Sequence, residues 1–260
     1  MMKPWIFLFF LSCCLQSYTA LIECEHFNKI YECVDAETLI ILDIDDTLLV
    51  PAQMLGCDEW FMSRLQYHQQ SLSYSNALEK ALAEWEGIRH LTKMILVEPN
   101  TDQHIHMLQK KGYTLMGLTT QGLALATRTN LQLKEHNIDL SLSAPCSEDR
   151  YFSINHHGIL YRNGILFTSG QSKADSLAAF CQSIDYMPKK IVFINDKASH
   201  LKDLERFALK NHIEYVGLRY GFSDFRKKAF SLDVANYQFH HSSCEDLLSD
   251  EKAAEALQLR

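Results

Sequence analysis

The chain has 260 residues, with 25 Lys or Arg against 32 Asp or Glu, which gives a formal net charge of −7 and a pI of about 5.9. This acidic balance argues against nucleic-acid binding, because a non-specific nucleic-acid partner requires a basic face that displaces counterions. Hydrophobic residues make up 47% and charged residues 22%, which is typical of a packed globular protein and excludes disordered, collagen-like and coiled-coil chains.

We predict a secretory signal peptide over residues 1–20. A single lysine precedes the apolar run 5–15, which suits the core of a signal peptide and is shorter than the roughly 20 residues of a transmembrane helix. Cleavage near Ala20 would leave residues 21–260 as a secreted or periplasmic protein without a transmembrane segment. Two alternatives stay open: a lipoprotein, because Phe10-Leu11-Ser12-Cys13 is a weak lipobox, and a buried N-terminal helix.

Six cysteines would remain in an oxidising compartment after removal of the signal. They are Cys24, Cys33, Cys57, Cys146, Cys181 and Cys244. Six cysteines allow 15 pairings, and the sequence does not choose among them. Cys24 and Cys33 are close enough in sequence to clip the new N-terminus, whereas Cys181 falls on the apolar face of a helical pattern and is expected to be a buried thiol.

Four continuous apolar runs predict strands that are buried on both faces. They are residues 38–42, 113–118, 191–194 and 213–218. Helical patterns accompany them at residues 101–111, 123–136, 173–184 and 200–210. This alternation predicts an α/β fold with a mostly parallel sheet, in a Rossmann-like three-layer α/β/α core. The chain length fits one such domain with an insertion.

Two features interrupt the alternation of strands and helices. A helical insertion is predicted after the first strand, at about residues 50–100, with helical patterns at 60–69 and 76–96. Asn163-Gly164 stands between two apolar triplets and predicts a small β-hairpin with a two-residue turn of type I′. Near the end of the chain, a last helix is expected at about residues 249–259.

Acidic residues follow two of the predicted strands at their carboxyl ends. Asp43, Asp45 and Asp46 come directly after the first strand, and Asp196 follows the third. Open parallel sheets bind ligands at this edge, and clustered carboxylates repel one another unless a cation or a reacting group compensates them. A turn or a helix cap would explain one Asp but not three within four residues, so we expect a charged functional site here.

The sequence Asp43-Ile44-Asp45-Asp46-Thr47-Leu48 resembles the first motif, DxDx[TV], of the haloacid dehalogenase (HAD) superfamily of phosphohydrolases. The other motifs follow in the family's order: Thr119 ends the second strand, Lys173 opens a helix and Asp196 follows the third strand. The resemblance covers about residues 38–220. Within the superfamily, a secreted chain resembles the bacterial class B-type acid phosphatases. The chain also resembles a bacterial HAD-like family known only as a domain of unknown function, through its hairpin, the lysine after the hairpin and the acidic tail.

The resemblance implies a role for each motif residue. Asp43 would attack phosphorus and form an aspartyl-phosphate, and Asp45 would act first as general acid and then as general base. Thr119, or Thr120 in its place, would bind a phosphoryl oxygen of the substrate. Lys173 would offset the negative charge of Asp43 and of the phosphoryl group.

The resemblance also implies Mg²⁺ as the cofactor, held by Asp43, the backbone carbonyl of Asp45, and Asp196. Two residues depart from the family pattern. Asn195 stands before Asp196, where an acid or a glycine is common, and His200 stands where some members have a later acid.

Structural alternatives stay open for three of these residues. Lys173 could also be a solvated residue at the start of a helix, Thr119 could simply end a strand, and Asp196 could cap a helix.

The resemblance also gives Thr47 a supporting role, in which it would orient Asp45.

We therefore predict a secreted, Mg²⁺-dependent phosphatase that hydrolyses phosphate monoesters of small molecules through an aspartyl-phosphate. The insertion would be its cap, which excludes water and selects the substrate. The aromatic residues of the insertion would line this lid or pack as its own core: Trp60, Phe61, Tyr67, Tyr74 and Trp85. Two alternatives remain: a phosphotransferase that uses the same intermediate, and a catalytically inactive secreted HAD-fold binding or effector protein, which the departures at Asn195 and His200 favour.

Overall fold

The computed structural model describes residues 18–243 and 246–259. The predicted signal-peptide core, the weak lipobox and three cysteines (Cys13, Cys14 and Cys244) lie outside the described residues. The cysteines that are described are all free thiols, Cys24 and Cys33 included. Among the described helices, none combines the length and the apolarity that crossing a bilayer requires.

A mostly parallel sheet of eight strands lies at the centre of the described residues. The strands of the protein, in chain order, are β1 (Thr19–Cys24), β2 (Thr38–Leu42), β3 (Leu49–Pro51), β4 (Met94–Leu96), β5 (Thr114–Thr119), β6 (Arg150–Ile154), β7 (His157–Arg162), β8 (Ile165–Phe167), β9 (Lys190–Asn195) and β10 (Glu214–Tyr220). The sheet order is β1-β10-β9-β2-β5-β8-β7-β6. Each neighbouring pair from β1 through β10, β9, β2 and β5 to β8 is parallel. β7 is antiparallel to β8, and β6 is antiparallel to β7. β3 and β4 form a separate two-stranded ribbon.

Helices cover both faces of this sheet. In chain order they are α1 (Asp58–Gln69), α2 (Tyr74–Leu91), α3 (Thr101–Lys110), α4 (Ala126–Glu135), α5 (Lys173–Ser183), α6 (Ala198–Lys210), α7 (Asp224–Lys228), α8 (Leu232–His241) and α9 (Asp250–Gln258). Three short 3-10 helices add Phe27–Glu32, Leu123–Leu125 and Leu140–Ser143.

Strand β2 explains why the core has three layers. Its side chains point alternately to opposite faces of the sheet, and every one of its residues is buried. Ile40 and Leu42 pack in an apolar cluster with α3 and α4, while Leu39 and Ile41 pack in a second cluster with α5 and α6. The predicted α/β class, with its three-layer core and mostly parallel sheet, is therefore confirmed.

Most predicted elements begin and end within two residues of the observed helices and strands. The four predicted strands correspond to β2, β5, β9 and β10, and the predicted helices at 101–111, 173–184 and 200–210 correspond to α3, α5 and α6. The helix predicted at 123–136 begins as a 3-10 turn before α4, and the last predicted helix is α9, whose N-cap Ser249 accepts a hydrogen bond from the backbone of Lys252.

One helix predicted between residues 50 and 100 ends earlier than expected. The helix expected at 76–96 ends at Leu91, and Met94–Leu96 forms β4, which pairs antiparallel with β3. Thr92 causes the break, because its backbone has the extended conformation (ψ 131°) that stops the helix. α1 and α2 pack on each other through a small apolar cluster.

The predicted hairpin is confirmed and belongs to the main sheet. Asn163 and Gly164 both have positive φ, 49° and 78°, as a type I′ turn requires, and they join β7 to β8. A Cβ at Gly164 would lie 2.6 Å from the carbonyl of Leu140, so this position requires glycine. Asn155 and His156 make a second turn with positive φ, which adds the unpredicted strand β6.

Strand β1 was not predicted, because residues 1–20 were assigned to the signal peptide. It runs parallel to β10 at the edge of the sheet, with Thr19 opposite Tyr215. Cleavage after Ala20 would remove the first two residues of this strand and leave four of its six.

Candidate active site

The candidate site lies where the chain changes direction across the sheet. From β2 the chain first adds β5 and β8 on one side, and it then crosses to add β9 on the other side of β2. The carboxyl ends of β2 and β9 therefore flank a topological switch point, which is where open parallel sheets bind ligands. Asp43 and Asp196 each follow one of these two strands directly.

A tight turn after β2 organises the first motif. The backbone N–H of Asp43 donates to the carbonyl of Ile194 in β9 (3.1 Å), so the chain still follows the sheet at this residue. Asp46 has a positive φ of 57°, and its N–H donates to the carbonyl of Leu49 (2.9 Å). Aspartate tolerates this left-handed conformation better than most residues do. The turn reverses the chain and leaves Asp43 and Asp45 at the edge of the sheet.

Asp43 and Lys173 form a buried ion pair. The ammonium of Lys173 donates to Oδ1 of Asp43 (2.6 Å), and the Lys173 residue is only 1% exposed. Lys173 is the first residue of α5, whose N-cap Ser172 is held in turn by the carboxylate of Asp203 (2.8 Å). The lysine is thus a buried partner of Asp43, which excludes the solvated helix-start alternative.

The pKa of Asp43 is raised to about 7 by its surroundings. Burial is the main cause, and the negative charges of Asp196 and Asp45 add to it, while Lys173 acts in the opposite direction. The carboxylates of Asp43, Asp45 and Asp196 thus lie close together, and Lys173 is the buried lysine that pairs with Asp43. Such an arrangement costs stability, which is typical of a functional site rather than a structural one.

Asp45 is held on both carboxylate oxygens. Arg89 of α2 donates to Oδ1 (2.5 Å), and the side-chain amide of Gln121 donates to Oδ2 (2.9 Å). Gln121 is fixed by the hydroxyl of Thr129, which donates to its amide oxygen (2.6 Å), and the guanidinium of Arg89 lies over the ring of Trp85. These contacts restrict Asp45 to one orientation.

Asp196 has one oxygen engaged and one free of protein partners. Its Oδ2 accepts a hydrogen bond from the ammonium of Lys227 in α7, which also lies 3.4 Å from Oδ2 of Asp46. Its Oδ1 is buried and has no hydrogen-bond partner in the part of the chain that the structure describes. The backbone N–H of Asp196 donates to the hydroxyl of Thr47 (3.2 Å), so Thr47 supports Asp196 rather than Asp45.

These residues fit a divalent cation with oxygen ligands. The orphaned Oδ1 of Asp196 is an acceptor that the protein does not satisfy, and its charge raises the pKa of Asp43. Asp43 and Asp196 supply two carboxylates, and the backbone carbonyl of Asp45 completes the predicted ligand set. No group of three or more acidic, His or Cys side chains suited to a metal exists in residues 18–243 and 246–259.

The two threonines of the second motif have different positions. Thr119 is buried, and its hydroxyl accepts a hydrogen bond from the backbone N–H of Gln121 (3.2 Å). Thr120 is half-buried and lines the cavity above the carboxylates. Both remain candidates for the phosphate-binding hydroxyl, and the position of Thr120 favours it as the residue that meets a ligand first.

The two residues that depart from the family pattern shape the loop after β9. The side-chain oxygen of Asn195 accepts a hydrogen bond from the backbone N–H of Lys197 (2.7 Å), and its nitrogen lies 3.4 Å from Nδ1 of His200. Burial lowers the pKa of His200 to about 3, and the charges of Lys173 and Lys197 add to this effect. His200 is therefore neutral at physiological pH, and Asn195 holds the turn from which Asp196 projects.

A cavity of about 1070 Å³ opens above the carboxylates. Asp43, Asp45 and Thr120 contribute to its floor, and α1 and α2 of the insertion form a wall. Of the aromatic residues of the insertion, Phe61, Tyr74 and Trp85 line the cavity, and Trp60 is buried against Phe239. Tyr67 has neither expected role, because it is exposed and lies outside the lining.

Sequence reasoning missed three polar residues of this site. Lys227 lies in α7, after the last predicted strand, and Arg89 lies in a helical pattern of the insertion without a distinguishing feature. Gln121 lies two residues after Thr119. Of these three residues, only Gln121 could have been found from the sequence, because it directly follows the candidate residues Thr119 and Thr120.

Asp46 permits a test of the charge crowding in the metal-free protein. Its pKa is raised to about 8 by burial and by nearby acids, Asp58 foremost, so the folded state keeps a proton that the unfolded state, with an ordinary aspartate pKa of 3.8, loses. This carboxyl therefore lowers stability progressively as the pH rises above about 4.

We expect Asp46→Asn to have nearly wild-type stability at pH 4 and to be more stable than wild type by at least about 1 kcal/mol at pH 8. Urea unfolding in EDTA at both pH values measures this difference. Asn tolerates the positive φ at this position, so backbone strain does not confuse the comparison. If Asp46→Asn were less stable than wild type at pH 8, the raised pKa of Asp46 in the folded protein would be contradicted.

Comparison with known proteins gives a family and several relatives. The family described as "Protein of unknown function (DUF2608)" matches residues 23–254. Two proteins of Chlamydia pneumoniae, each named "Putative outer membrane protein", are similar to this chain. One is 27% identical over 260 residues and covers 97% of both chains, and the other is 26% identical over 225 residues, 83% of this chain and 81% of the relative.

Solved structures that align with this chain include two bacterial proteins. A hydrolase of the haloacid dehalogenase-like family from Streptococcus pneumoniae aligns with a TM-score of 0.44 and 15% identity, over 69% of this chain and 93% of that one. A structure from Thermotoga maritima, described as a putative β-phosphoglucomutase, aligns with a TM-score of 0.39 and 12% identity, over 74% and 99% of the two chains.

Proposed function

The chain belongs to the DUF2608 family, and from this premise and its buried carboxylates we propose that it is a secreted, Mg²⁺-dependent phosphatase of the HAD type. It hydrolyses phosphate monoesters through an aspartyl-phosphate. The observation that carries this proposal is the buried Asp43–Lys173 pair beside Asp196, at the floor of a cavity and directly after a strand at the switch point. The match to a family of unknown function agrees with the resemblance in the sequence, and the relation to class B-type acid phosphatases is part of the proposal.

Asp43 is the nucleophile. Lys173 binds its Oδ1, so Oδ2 attacks phosphorus, and the bond between phosphorus and the leaving oxygen breaks with its electron pair on that oxygen. Burial keeps competing water away from the carboxylate. Asp43, Asp196 and the backbone carbonyl of Asp45 would hold Mg²⁺, which would supply positive charge that favours the ionised form of Asp43 and offsets the charge of the phosphoryl group.

Asp45 moves the protons of both half-reactions. It gives a proton to the leaving oxygen and later takes one from the water that hydrolyses the aspartyl-phosphate, which releases inorganic phosphate and regenerates Asp43. Arg89 and Gln121 fix its orientation for both steps. Thr120, with Thr119 beneath it, binds a phosphoryl oxygen, and Lys173 neutralises the charge that develops beside Asp43.

The insertion at about residues 50–100 is the cap of this enzyme, and the N-terminal segment is its secretion signal. Support for the cap comes from α1 and α2, which form a wall of the cavity. Support for an envelope or secreted location comes from the outer-membrane names of the Chlamydia relatives. The same intermediate also serves a phosphotransferase, which differs only in the acceptor of the phosphoryl group.

A binding or effector protein is the second candidate. The observation that favours it is Lys227, because its ammonium pairs with Asp196 and so places a positive charge of the protein beside this carboxylate. A chain that no longer needs the cation would keep such a lysine. This candidate predicts a folded protein that binds a ligand in the cavity and turns nothing over.

The proposal is tested by hydrolysis of p-nitrophenyl phosphate and of a panel of phosphorylated metabolites. We expect turnover with Mg²⁺ and none with EDTA, and we expect beryllium fluoride to form an adduct at Asp43 that mass spectrometry or fluorine NMR detects. Added alcohol that captures phosphate would identify a phosphotransferase. No turnover over the whole panel, together with no adduct in a folded protein, would refute both enzyme functions and leave the binding protein.

A further inference from the structure

The cavity above the carboxylates has an apolar half. Phe61, Met62, Leu78, Leu82 and Trp85 of α1 and α2 line it opposite the charged floor. Met62 is 48% exposed and Leu82 is 37% exposed, so the apolar wall is open to water rather than packed as a core. Apolar surface held open beside a reactive floor is typical of a site for an apolar ligand.

The charges of the cavity limit that ligand further. Its two lysines are already paired, Lys197 with Asp58 and Lys227 with Asp196. Two further acids, Glu59 and Glu86, lie among the lining residues, and neither forms an ion pair with a basic side chain of the described residues. The acids of the described lining outnumber its two lysines, with His157 and His200 as the further basic side chains, and this excess of acids disfavours a second negative charge beyond the phosphoryl site.

Glu86 lies close to the floor as well as to the wall. A Cβ on Gly122 would lie 2.7 Å from Oε1 of Glu86, so this carboxylate reaches the loop that follows Thr120. An anionic group on a substrate, attached near the phosphoryl group, would therefore meet a like charge in a partly desolvated position.

We propose that the substrate is a phosphate monoester whose organic part is an apolar alkyl or aryl group without a second negative charge. This inference rests on the proposed function and names the substrate class of the same site. The phosphoryl group lies on the floor beside Asp43, and the organic group extends along Leu78, Leu82 and Trp85. Hydrolysis adds water across the P–O bond and releases an apolar alcohol and inorganic phosphate.

The test is the dependence of kcat/KM on chain length in n-alkyl phosphates from ethyl to octyl, in the presence of Mg²⁺. Burial of a methylene contributes about 0.8 kcal/mol, which corresponds to a roughly three- to fourfold rise in kcat/KM for each carbon that the wall covers. We expect such a rise, and we expect fructose 1,6-bisphosphate and 3-phosphoglycerate to be at least about 100-fold poorer than octyl phosphate.

Two variants and a matched control connect the effect to this wall. Leu82→Ser and Leu78→Ser should flatten the chain-length dependence, with the largest loss of kcat/KM for octyl phosphate and the smallest for ethyl phosphate. Leu131→Ser is the control, because Leu131 is a 52% exposed leucine of α4 outside the cavity lining. It should leave the chain-length dependence unchanged. Glu86→Gln should raise turnover of 3-phosphoglycerate and leave octyl phosphate unaffected.

The outcomes separate this inference from the proposed function. Turnover that is independent of chain length, or equally flattened by Leu131→Ser, would overturn the substrate class and leave the phosphatase intact. If no ester is turned over, calorimetry with n-alkyl phosphonates decides the inference independently of turnover. A Kd that decreases with chain length in wild type and not in Leu82→Ser supports the apolar site, and a constant Kd overturns it.

Discussion

Replacement of Asp43 by Asn is expected to lower kcat for p-nitrophenyl phosphate by about 10⁴-fold or more. The amide has no nucleophilic oxygen of comparable strength, so the aspartyl-phosphate cannot form and only binding and charge stabilisation remain. The beryllium fluoride adduct should disappear together with turnover. Steady-state kinetics with Mg²⁺ and mass spectrometry of the trapped protein measure the two effects.

Asp46→Asn is the matched control for this variant. It makes the same chemical change three residues further along, at another buried carboxyl with a raised pKa, yet Asp46 is not among the proposed nucleophile, acid or metal ligands. We expect its kcat to stay within about threefold of wild type. Substantial activity in Asp43→Asn, or an equal loss in both variants, would contradict the assignment of Asp43 as nucleophile.

Asp43→Asn should also separate activity from stability. The change removes a carboxyl that Asp196 and Asp45 repel, which is favourable, and it deprives Lys173 of its counterion, which is unfavourable. Because the two effects oppose each other, we expect the protein to remain folded. Loss of activity would then report on chemistry and not on unfolding.

The elements that position the site could be predicted because their signals are local. A strand buried on both faces, such as residues 38–42, is a continuous apolar run, and the next polar residues mark its carboxyl end. Asn163-Gly164 determines its own turn through positive φ at both residues. The proximity of Asp43 and Asp196 could be predicted from the sequence, because the carboxyl ends of parallel strands lie at the same edge of a sheet.

The partners of the carboxylates could not be predicted, because each of them comes from a distant part of the chain. Arg89 reaches Asp45 across 44 residues, Gln121 reaches it across 76, and Lys227 reaches Asp196 across 31. No spacing rule connects such positions, and a lysine or arginine on a helix usually lies in solvent. The packing of α2 and α7 against the carboxyl edge of the sheet brings Arg89 and Lys227 to the site, and the loop after β5 brings Gln121.

Short and edge strands escaped prediction for a different reason. β4 has three residues and continues directly from a helical pattern, so periodicity could not separate the two. β6 alternates weakly and has no buried residue, because it forms the last strand of the sheet. Their pairing with β3 and β7 is a tertiary effect, which overrides local preference.

Arg89 gives the insertion a role in the geometry of the floor. Its helix α2 supplies both the apolar wall, through Leu82 and Trp85, and the guanidinium that holds Asp45. In the proposed enzyme, the substrate's organic group and the proposed general acid–base Asp45 would thus contact one helix. A ligand that shifts α2 would then also shift Asp45, which would couple substrate choice to proton transfer.

Replacement of Lys173 by Met is expected to have the largest effect on stability. It leaves the buried carboxyl of Asp43 without its counterion, and breaking a buried ion pair from one side costs about 3–5 kcal/mol. Lys134→Met is the control, because the pair of Lys134 with Asp139 is largely exposed and such pairs contribute about 0–1 kcal/mol. Urea unfolding at pH 8 in EDTA measures both.

The pH dependence identifies the buried charge as the cause of this loss. The pKa of Asp43 is about 7 even with Lys173 present, and it must rise further without the lysine, whereas in the unfolded chain the same carboxyl has the ordinary aspartate pKa of 3.8. The folded variant therefore binds a proton that the unfolded variant releases, so its stability falls as the pH rises above about 4. We expect the loss in Lys173→Met, relative to wild type, to be smaller at pH 5 than at pH 8, and the small loss in Lys134→Met to be the same at both. An equal loss at the two pH values would mean that the lysine stabilises the fold through packing of its methylenes, and the charge-based account of the site would fail with it.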